Sequence, residues 1–273
     1  MKSRRYVRLF LFLSILLVFV LSACAPKAVE QEGASAGGLG GKTLIVAHDV
    51  NFPPFEFLQD DKYTGFDLEL LAAIAEKANF KTDLRPMDFN GIIPALQAEQ
   101  VDLAIAAMTI KPEREEVIDF SIPYFKTGIV IAVKPETEDI VTTEDLKGKK
   151  VAVKIAASGE SLIRELPFAD EIEIVTFDSN NDTYLAVQTG AADATVNDLS
   201  TLQYYISTEG QGKLKTVGDL LTGDDYGLSA PSGHTETIEA VNNALLELAK
   251  DGTYTEIYKK WFGEDPVTIP GEF

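Results

Sequence analysis

Between Lys42 and Gly263 the apolar positions follow two alternating spacings. Runs of strand length occupy Thr43–Ala47, Asp102–Ala107 and Gly128–Val133, and Lys81–Met87 alternates weakly in the same manner. Among them lie helical stripes at Phe66–Asn79, with Leu71, Ile74, Ala75 and Ala78 on one face, and at Gly91–Gln97. A second series follows. It predicts a short helix at Thr143–Leu146, a strand at Lys150–Lys154, a helix at Glu160–Leu166 and a strand at Glu171–Phe177. A helix at Asp182–Thr189 ends at Gly190. A strand at Ala192–Val196, a helix at Leu199–Ser207 and a strand at Tyr226–Ala230 come next. The last long helix carries Ile238, Val241, Leu245 and Leu248 on one stripe and stops at Gly252, before a short helix at Thr255–Trp261. Strands separated by helices predict parallel sheets covered on both faces, and two such series predict two α/β lobes.

In sheets of this kind ligands sit beyond the carboxyl ends of strands. The residues just past those ends are His48 and Asp49, Ala107–Thr109, Lys154–Ser158, and Asn197 with Asp198. Between two lobes, they would line a cleft.

The first 41 residues are different. Lys2, Arg4, Arg5 and Arg8 precede an apolar run from Leu9 to Leu21, which falls short of the roughly 20 residues a bilayer span needs. A basic opening, an apolar stretch and small residues predict a secretory signal peptide over 1–23. Leu21-Ser22-Ala23-Cys24 resembles the lipobox of bacterial lipoproteins, which implies lipidation of Cys24 and a membrane anchor; the alternative is an ordinary signal peptide with a chance cysteine. Residues 24–41 are rich in Ala, Gly, Ser and Glu, too polar to bury a core, and predict a flexible tether.

Composition narrows the chemistry. Cys24 is the sole cysteine of 273 residues, so lipidation would leave no thiol for disulfides or metal. The formal charge is −19, and because residues 1–23 hold four of the basic residues and no acidic ones, the remainder carries −23. Such a surface repels nucleic acid and anionic lipid faces. The two histidines, His48 and His234, have no metal-ligand spacing, and neither a phosphate loop nor a G-x-S-x-G elbow occurs. No metal, cofactor or enzymatic activity is expected.

Recognition of a small zwitterion fits better. An α-carboxylate needs a fork of donors, which arginine supplies, and Arg114 follows the strand Asp102–Ala107. Its alternative is an ion pair with Glu113, Glu115 or Glu116 on a solvated turn. An α-ammonium needs an anion, and Asp198 lies at a strand end; its alternative is the N-cap of the helix that follows. Asp49 has the same two readings. Phe52 and Phe89 lie in turn-like contexts where exposed rings would suit an aliphatic stem; otherwise they are core.

Several segments together are similar to one family. Gly65-Phe66-Asp67-Leu68-Glu69-Leu70, continued by Ile74, Ala75 and Ala78, matches the signature of family 3 bacterial extracellular solute-binding proteins. Phe55-Glu56-Phe57, Pro86-Met87-Asp88-Phe89, Gly91–Leu96, Ile118–Ser121 and Gly252-Thr253-Tyr254 through Tyr258–Gly263 extend the likeness, which runs from about Leu44 to Gly263. Glutamine-binding proteins of amino-acid ABC importers are the nearest in pattern.

The resemblance implies an α/β, two-lobe periplasmic-binding-protein-like (type II) fold with two hinge strands and an interlobe ligand cleft. Lobe 1 would comprise 42–123 plus 227–273 and lobe 2 residues 128–221, with hinges at 124–127 and 222–226. It implies that Arg114 and Thr109 hold the α-carboxylate, Asp198 the α-ammonium and Asp49 the side-chain end of the ligand. Phe52 and Phe89 would be aromatic walls, and Lys154 would stand near Asp49. Three departures bear on specificity: Ala107 replaces a glycine, Ser158 stands in for a usual threonine donor, and Asn197 replaces a histidine. The implied protein is a monomer, lipid-anchored outside the cytoplasm, which captures a free amino acid by lobe closure and delivers it to permease subunits driven by a separate ATPase. If Lys154 pairs with Asp49, a neutral amide such as glutamine is favoured; Asp49 alone would favour arginine or lysine. A dehydratase on the same fold would need a general acid and no ammonium acceptor. A receptor sensor would need a membrane span after the binding unit, and Phe273 comes too soon for one.

Overall fold

The computed structural model describes residues 38–273; the expected signal peptide, Cys24 and most of the expected tether lie outside them. In chain order the first lobe begins with β1 (Thr43–Asp49) and a ribbon of β2 (Asn51–Phe52), β3 (Glu56–Gln59) and β4 (Lys62–Thr64). It continues with α1 (Phe66–Lys77), β5 (Lys81–Met87), α2 (Phe89–Gln97), β6 (Leu103–Ala104), α3 (Pro112–Glu115) and β7 (Ile118–Phe120). The chain crosses through β8 (Phe125–Thr127) into the second lobe: β9 (Ile129–Val133), a 3₁₀ turn at Thr143–Leu146, β10 (Lys150–Lys154), α4 (Ser158–Glu165), β11 (Glu173–Phe177), α5 (Asn180–Thr189), β12 (Ala194–Asp198), α6 (Leu199–Thr208) and β13 (Lys215–Val217). It returns through β14 (Asp224–Tyr226) to β15 (Ser229–Pro231), α7 (Thr235–Asp251) and α8 (Thr253–Phe262).

Each lobe holds a five-stranded sheet, ordered β5-β1-β6-β15-β7 and β11-β10-β12-β9-β13, and β8 pairs with β14 between them. The expectation of wholly parallel sheets is corrected here. β15 runs antiparallel to β6 and β7, and β9 antiparallel to β12 and β13. These two strands follow the lobe crossings instead of helical crossovers, so they enter their sheets from the opposite end. The three-stranded ribbon and β7 have no counterpart in the sequence reading, being strands of two to four residues.

Local chemistry sets the element boundaries. Asp67 and Glu69 in the first turn of α1 and Lys77 in its last turn complement the helix dipole. Ser179 caps α5 by accepting from the Asp182 amide at 3.2 Å, and Gly190 ends it in the left-handed region at φ 77°. Period-2 alternation places Ile129, Ile131 and Val133 of β9 with Val151, Val153 and Val196 on one face of the second sheet. It puts Val130 and Ala132 with Ala152, Tyr184 and Val187 on the other. In the first lobe, α1 and α7 pack Leu70, Ile74, Val241 and Leu245 onto one sheet face, while Ile92 and Leu96 of α2 cover the opposite one. The crossings are buttressed by an aromatic cluster in which Phe125 of β8 stacks on Tyr226 of β14, ring centroids 5.7 Å apart at 19°.

Candidate functional site

The ends of the parallel strands from the two sheets face each other across a small cavity of about 10 Å³. The first lobe lines it with Phe52, Phe89, Ala107, Thr109 and Arg114, the second with Lys154, Ala157, Ser158 and Asp198.

Arg114 lies in α3, whose Pro112 occupies the start of the helix, and its side chain turns inward: the residue is 6% exposed. Nη1 donates to the Thr109 carbonyl at 2.9 Å and Nη2 to the Ala156 carbonyl of the other lobe at 3.0 Å. The guanidinium carbon stands 5.5 Å from the centre of the Phe89 ring. Of the neighbouring acids, Glu113 takes the Lys111 ammonium at 3.8 Å instead. Burial pulls the guanidinium below its ordinary pKa, opposed by Glu113, Asp198 and Asp224; arginine stays cationic all the same. Two of its five N–H groups hold backbone carbonyls, which fixes its plane and leaves the rest for an anion.

Asp198 closes β12 and occupies the cap position of α6 without a side-chain capping bond. Its Oδ1 accepts from the Tyr226 hydroxyl at 2.6 Å. Burial pushes its carboxyl up to about 6, against the Tyr226 hydrogen bond and the Arg114 charge. The carboxylate thus sits in a desolvated pocket with one donor, a setting that favours a cation partner.

Two contacts join the lobes beside these groups. The Ser158 hydroxyl donates to Thr109 Oγ1 at 2.8 Å. Lys154 pairs with Asp49, both 1% exposed, and the ammonium lies 4.9 Å from the Phe52 ring centre and 5.5 Å from that of Phe89. Asp49 is behind Lys154 and is not itself part of the lining. His48 next to it donates from Nδ1 to the Asp49 carbonyl at 2.8 Å, and burial lowers its pKa, which keeps the ring neutral.

Asn197 is not brought to the cavity. Its amide donates to Thr195 Oγ1 at 2.7 Å and to Thr183 Oγ1 at 3.1 Å. Residues 195 and 197 share a face of β12, and that face turns to α5, whereas Asp198 lies on the opposite one. Within the expected Lys154–Ser158 stretch, Ala157 lines the cavity and the Ala156 carbonyl holds Arg114. Tyr226, which reaches Asp198 from the returning strand, had no signal in the reading of single residues. Ala107 adopts φ 44°, the left-handed region, and its amide donates to Asp67 Oδ2 at 2.8 Å.

Comparison with known proteins gives one consistent picture. Residues 44–264 match the bacterial extracellular solute-binding proteins, family 3. The L-cystine-binding protein TcyJ of Escherichia coli (strain K12) is 30% identical over 256 residues, covering 93% of this chain and 95% of its own. The structure of an ancestral arginine-binding protein bound to arginine superposes with a TM-score of 0.77 at 40% identity, covering 81% of this chain and 98% of that one. That of an ancestral arginine-binding protein bound to glutamine gives 0.76 at 41% identity with the same coverage.

Proposed function

The chain belongs to the bacterial extracellular solute-binding proteins, family 3, and from that premise we propose that it captures a free polar amino acid, glutamine foremost, for an ABC importer. The observation that carries this is the pairing of Arg114 with Asp198 across one cavity, a buried cation on the first lobe and a buried carboxylate on the second. An amino acid presents complementary charges at its two α-substituents. Its carboxylate would lie on the free Arg114 N–H groups with the Thr109 and Ser158 hydroxyls, and its ammonium on Asp198. The stem would pass between Phe52 and Phe89.

The Lys154–Asp49 pair argues for an amide side chain. Together the two groups carry no net charge, and Lys154 presents its donors to the cavity. A glutamine amide oxygen would accept from Lys154, whose charge Asp49 already balances, without stranding a charge. A guanidinium or ammonium would have to displace Lys154 from Asp49. A ligand touching both lobes stabilises their contact and shifts the population toward the closed state. The chain itself performs no chemistry. Lipid on Cys24 would hold it at the outer membrane face, where the closed form docks on permease subunits.

The test is calorimetric titration of the ligand-free protein with Gln, Asn, Glu, Arg, Lys, His and cystine. Glutamine is expected to bind with micromolar or better affinity, about 8 kcal/mol, and Arg114→Ala to abolish that binding while the fold persists. Arginine binding far tighter than glutamine would overturn the ligand assignment. Arg114→Ala binding within tenfold of wild type would overturn the site.

A further inference from the structure

The sequence motifs Phe55-Glu56-Phe57 and Gly65-Phe66-Asp67 supply nothing to the cavity lining, yet the fold brings their two acids together in its interior. Backbone bonds lock them side by side: the Phe66 amide donates to the Pro54 carbonyl at 2.9 Å and the Asp67 amide to the Phe55 carbonyl at 3.0 Å. Gly65 permits this approach, since at its φ of 140° a Cβ would lie 1.9 Å from the Phe55 carbonyl oxygen. Glu56 and Asp67 are both 0% exposed, and Asp67 is the foremost of the charged groups acting on Glu56.

Their donor balance is incomplete if both are anions. Asp67 Oδ2 accepts from the Ala107 amide and from the Tyr124 hydroxyl, each at 2.8 Å. Asp67 Oδ1 and both Glu56 carboxyl oxygens then have no donor among the described residues. Buried carboxylates in that condition are strongly disfavoured. One proton on Glu56, donated to Asp67 Oδ1, removes one anion and satisfies the other. The charged groups acting on Glu56 are Asp67 from α1, Asp49 from the end of β1 and Lys154 from the second lobe. Lys154 is already paired with Asp49. Tyr124, Tyr226 and Tyr254 complete the surroundings as neutral phenols, each held above its ordinary pKa by burial.

We propose that Glu56 and Asp67 hold a single proton between them, and that this pair positions the ligand cavity by fixing the left-handed Ala107 amide and by anchoring Tyr124 at the entrance to β8. The shared proton rests on the burial of both acids and on their donorless oxygens; its effect on the ligand rests on the amino-acid-binding reading above. Burial first, then the carboxylates of Asp67 and Asp49, push the Glu56 pKa well above the usual range, the direction a retained proton requires. A raised acid adds stability that is full at low pH and lost as pH climbs through the folded-state value. Loss of the proton would set two anions against each other behind Ala107 and Tyr124 and loosen both.

Infrared difference spectroscopy of the ligand-free protein reads the proton directly. At pH 8, with Asp198 ionised, wild type is expected to show the carbonyl stretch of a buried neutral carboxylic acid, and Glu56→Gln to lack it. Should Glu56→Gln fail to fold, Asp67→Asn and the wild-type alkaline titration of the band serve the same purpose. A wild type without the band, or a band unchanged in both variants, overturns the shared proton. The positioning role is read from glutamine affinity and thermal midpoint between pH 7 and 9.5. Both are expected to decline more steeply in wild type than in Glu56→Gln, whose amide still donates to Asp67, while the loss of the ligand's own ammonium at alkaline pH is common to the two. Parallel declines in the two proteins overturn the positioning role. If the band behaves as expected and no amino acid binds wild type at any pH, the shared proton holds while the amino-acid-binding reading and the positioning role fall together.

Discussion

Tyr226, on the strand that returns the chain from the second lobe, donates its phenolic hydrogen to Asp198 Oδ1 at 2.6 Å. The same residue stacks on Phe125 of the outgoing strand and bridges to Thr109 through its backbone. One side chain therefore connects the proposed ammonium acceptor with both lobe crossings. Its hydroxyl takes up one carboxylate oxygen and leaves the other for the ligand.

Tyr226→Phe tests this connection, because it keeps the stacked ring and removes only the donor. A hydrogen bond to a charged group contributes about 1.5–3 kcal/mol, so glutamine affinity at neutral pH is expected to fall about tenfold or more. Without the phenol, Asp198 should hold its proton to still higher pH than its present value of about 6. The acid limb of the calorimetric binding profile should then move toward neutrality. An affinity loss with an unmoved pH profile would mean the residue acts only through packing.

On the proposed function, Lys154 is the group expected to set side-chain preference. Lys154→Met preserves length and apolar packing but strands the Asp49 carboxylate, whose partner is buried to the same degree. Breaking one half of a buried pair costs about 3–5 kcal/mol, and thermal stability should drop accordingly. A cationic ligand can then take the place of the lost ammonium. Added arginine is expected to raise the variant's thermal midpoint more than glutamine does, the reverse of wild type. The same ligand order in both proteins would show that Lys154 does not set selectivity.

Much of this site follows from where residues stand in the sequence, and the exceptions have physical causes. Asp198 stands at a strand end and Arg114 on the short helix that follows another, and strand ends are where a two-lobe α/β fold presents ligands. Position alone did not decide which way their side chains turn. The inward Arg114 depends on the Ala156 carbonyl, 42 residues away on the other lobe. Tyr226 and the Glu56–Asp67 contact escaped the single-residue reading for the same reason, since both exist only after distant segments meet. Asn197 was misplaced by one step of alternation, because an adjacent residue on a strand faces the other way. The antiparallel β9 and β15 were missed because local periodicity carries no strand direction. The ribbon β2–β4 was missed because its strands are too short to show a period.

Ala107 carries a local cost that glycine would remove. Its φ of 44° is left-handed, and an L-residue there is disfavoured by roughly 1–2 kcal/mol. Glycine's extra freedom in the unfolded chain offsets about 0.4–1 kcal/mol of the relief. Ala107→Gly should therefore stabilise the protein by about 0.5–1 kcal/mol, a rise of about 2 °C in thermal midpoint for a unit of this size. A lower midpoint would mean that the packing of the Ala107 methyl outweighs the backbone relief.

Asp198, the proposed ammonium acceptor, is held in place at the expense of stability. Its carboxyl is raised from 3.8 to about 6, principally by burial. For an acid raised on folding, the favourable contribution is full below about pH 4 and disappears as pH rises through 6. At neutral pH the ligand-free protein thus holds a desolvated anion, at a cost of about 3 kcal/mol for a shift of about two units. Asp198→Asn removes that charge and can still accept from the Tyr226 hydroxyl. The variant should be more stable than wild type at pH 7.5 by about 1–3 kcal/mol, and the advantage should vanish as pH falls toward 4. It should also fail to bind glutamine, so that added ligand no longer raises its midpoint. Denaturant unfolding from pH 4 to 8, with and without glutamine, checks both halves. A stability difference that ignores pH would show that the Asp198 carboxylate is not the source of the cost. Retained glutamine binding would remove it as the ammonium acceptor. The expected combination, more stable and inactive, is the behaviour of a charge kept buried for a cation that the folded chain does not itself supply.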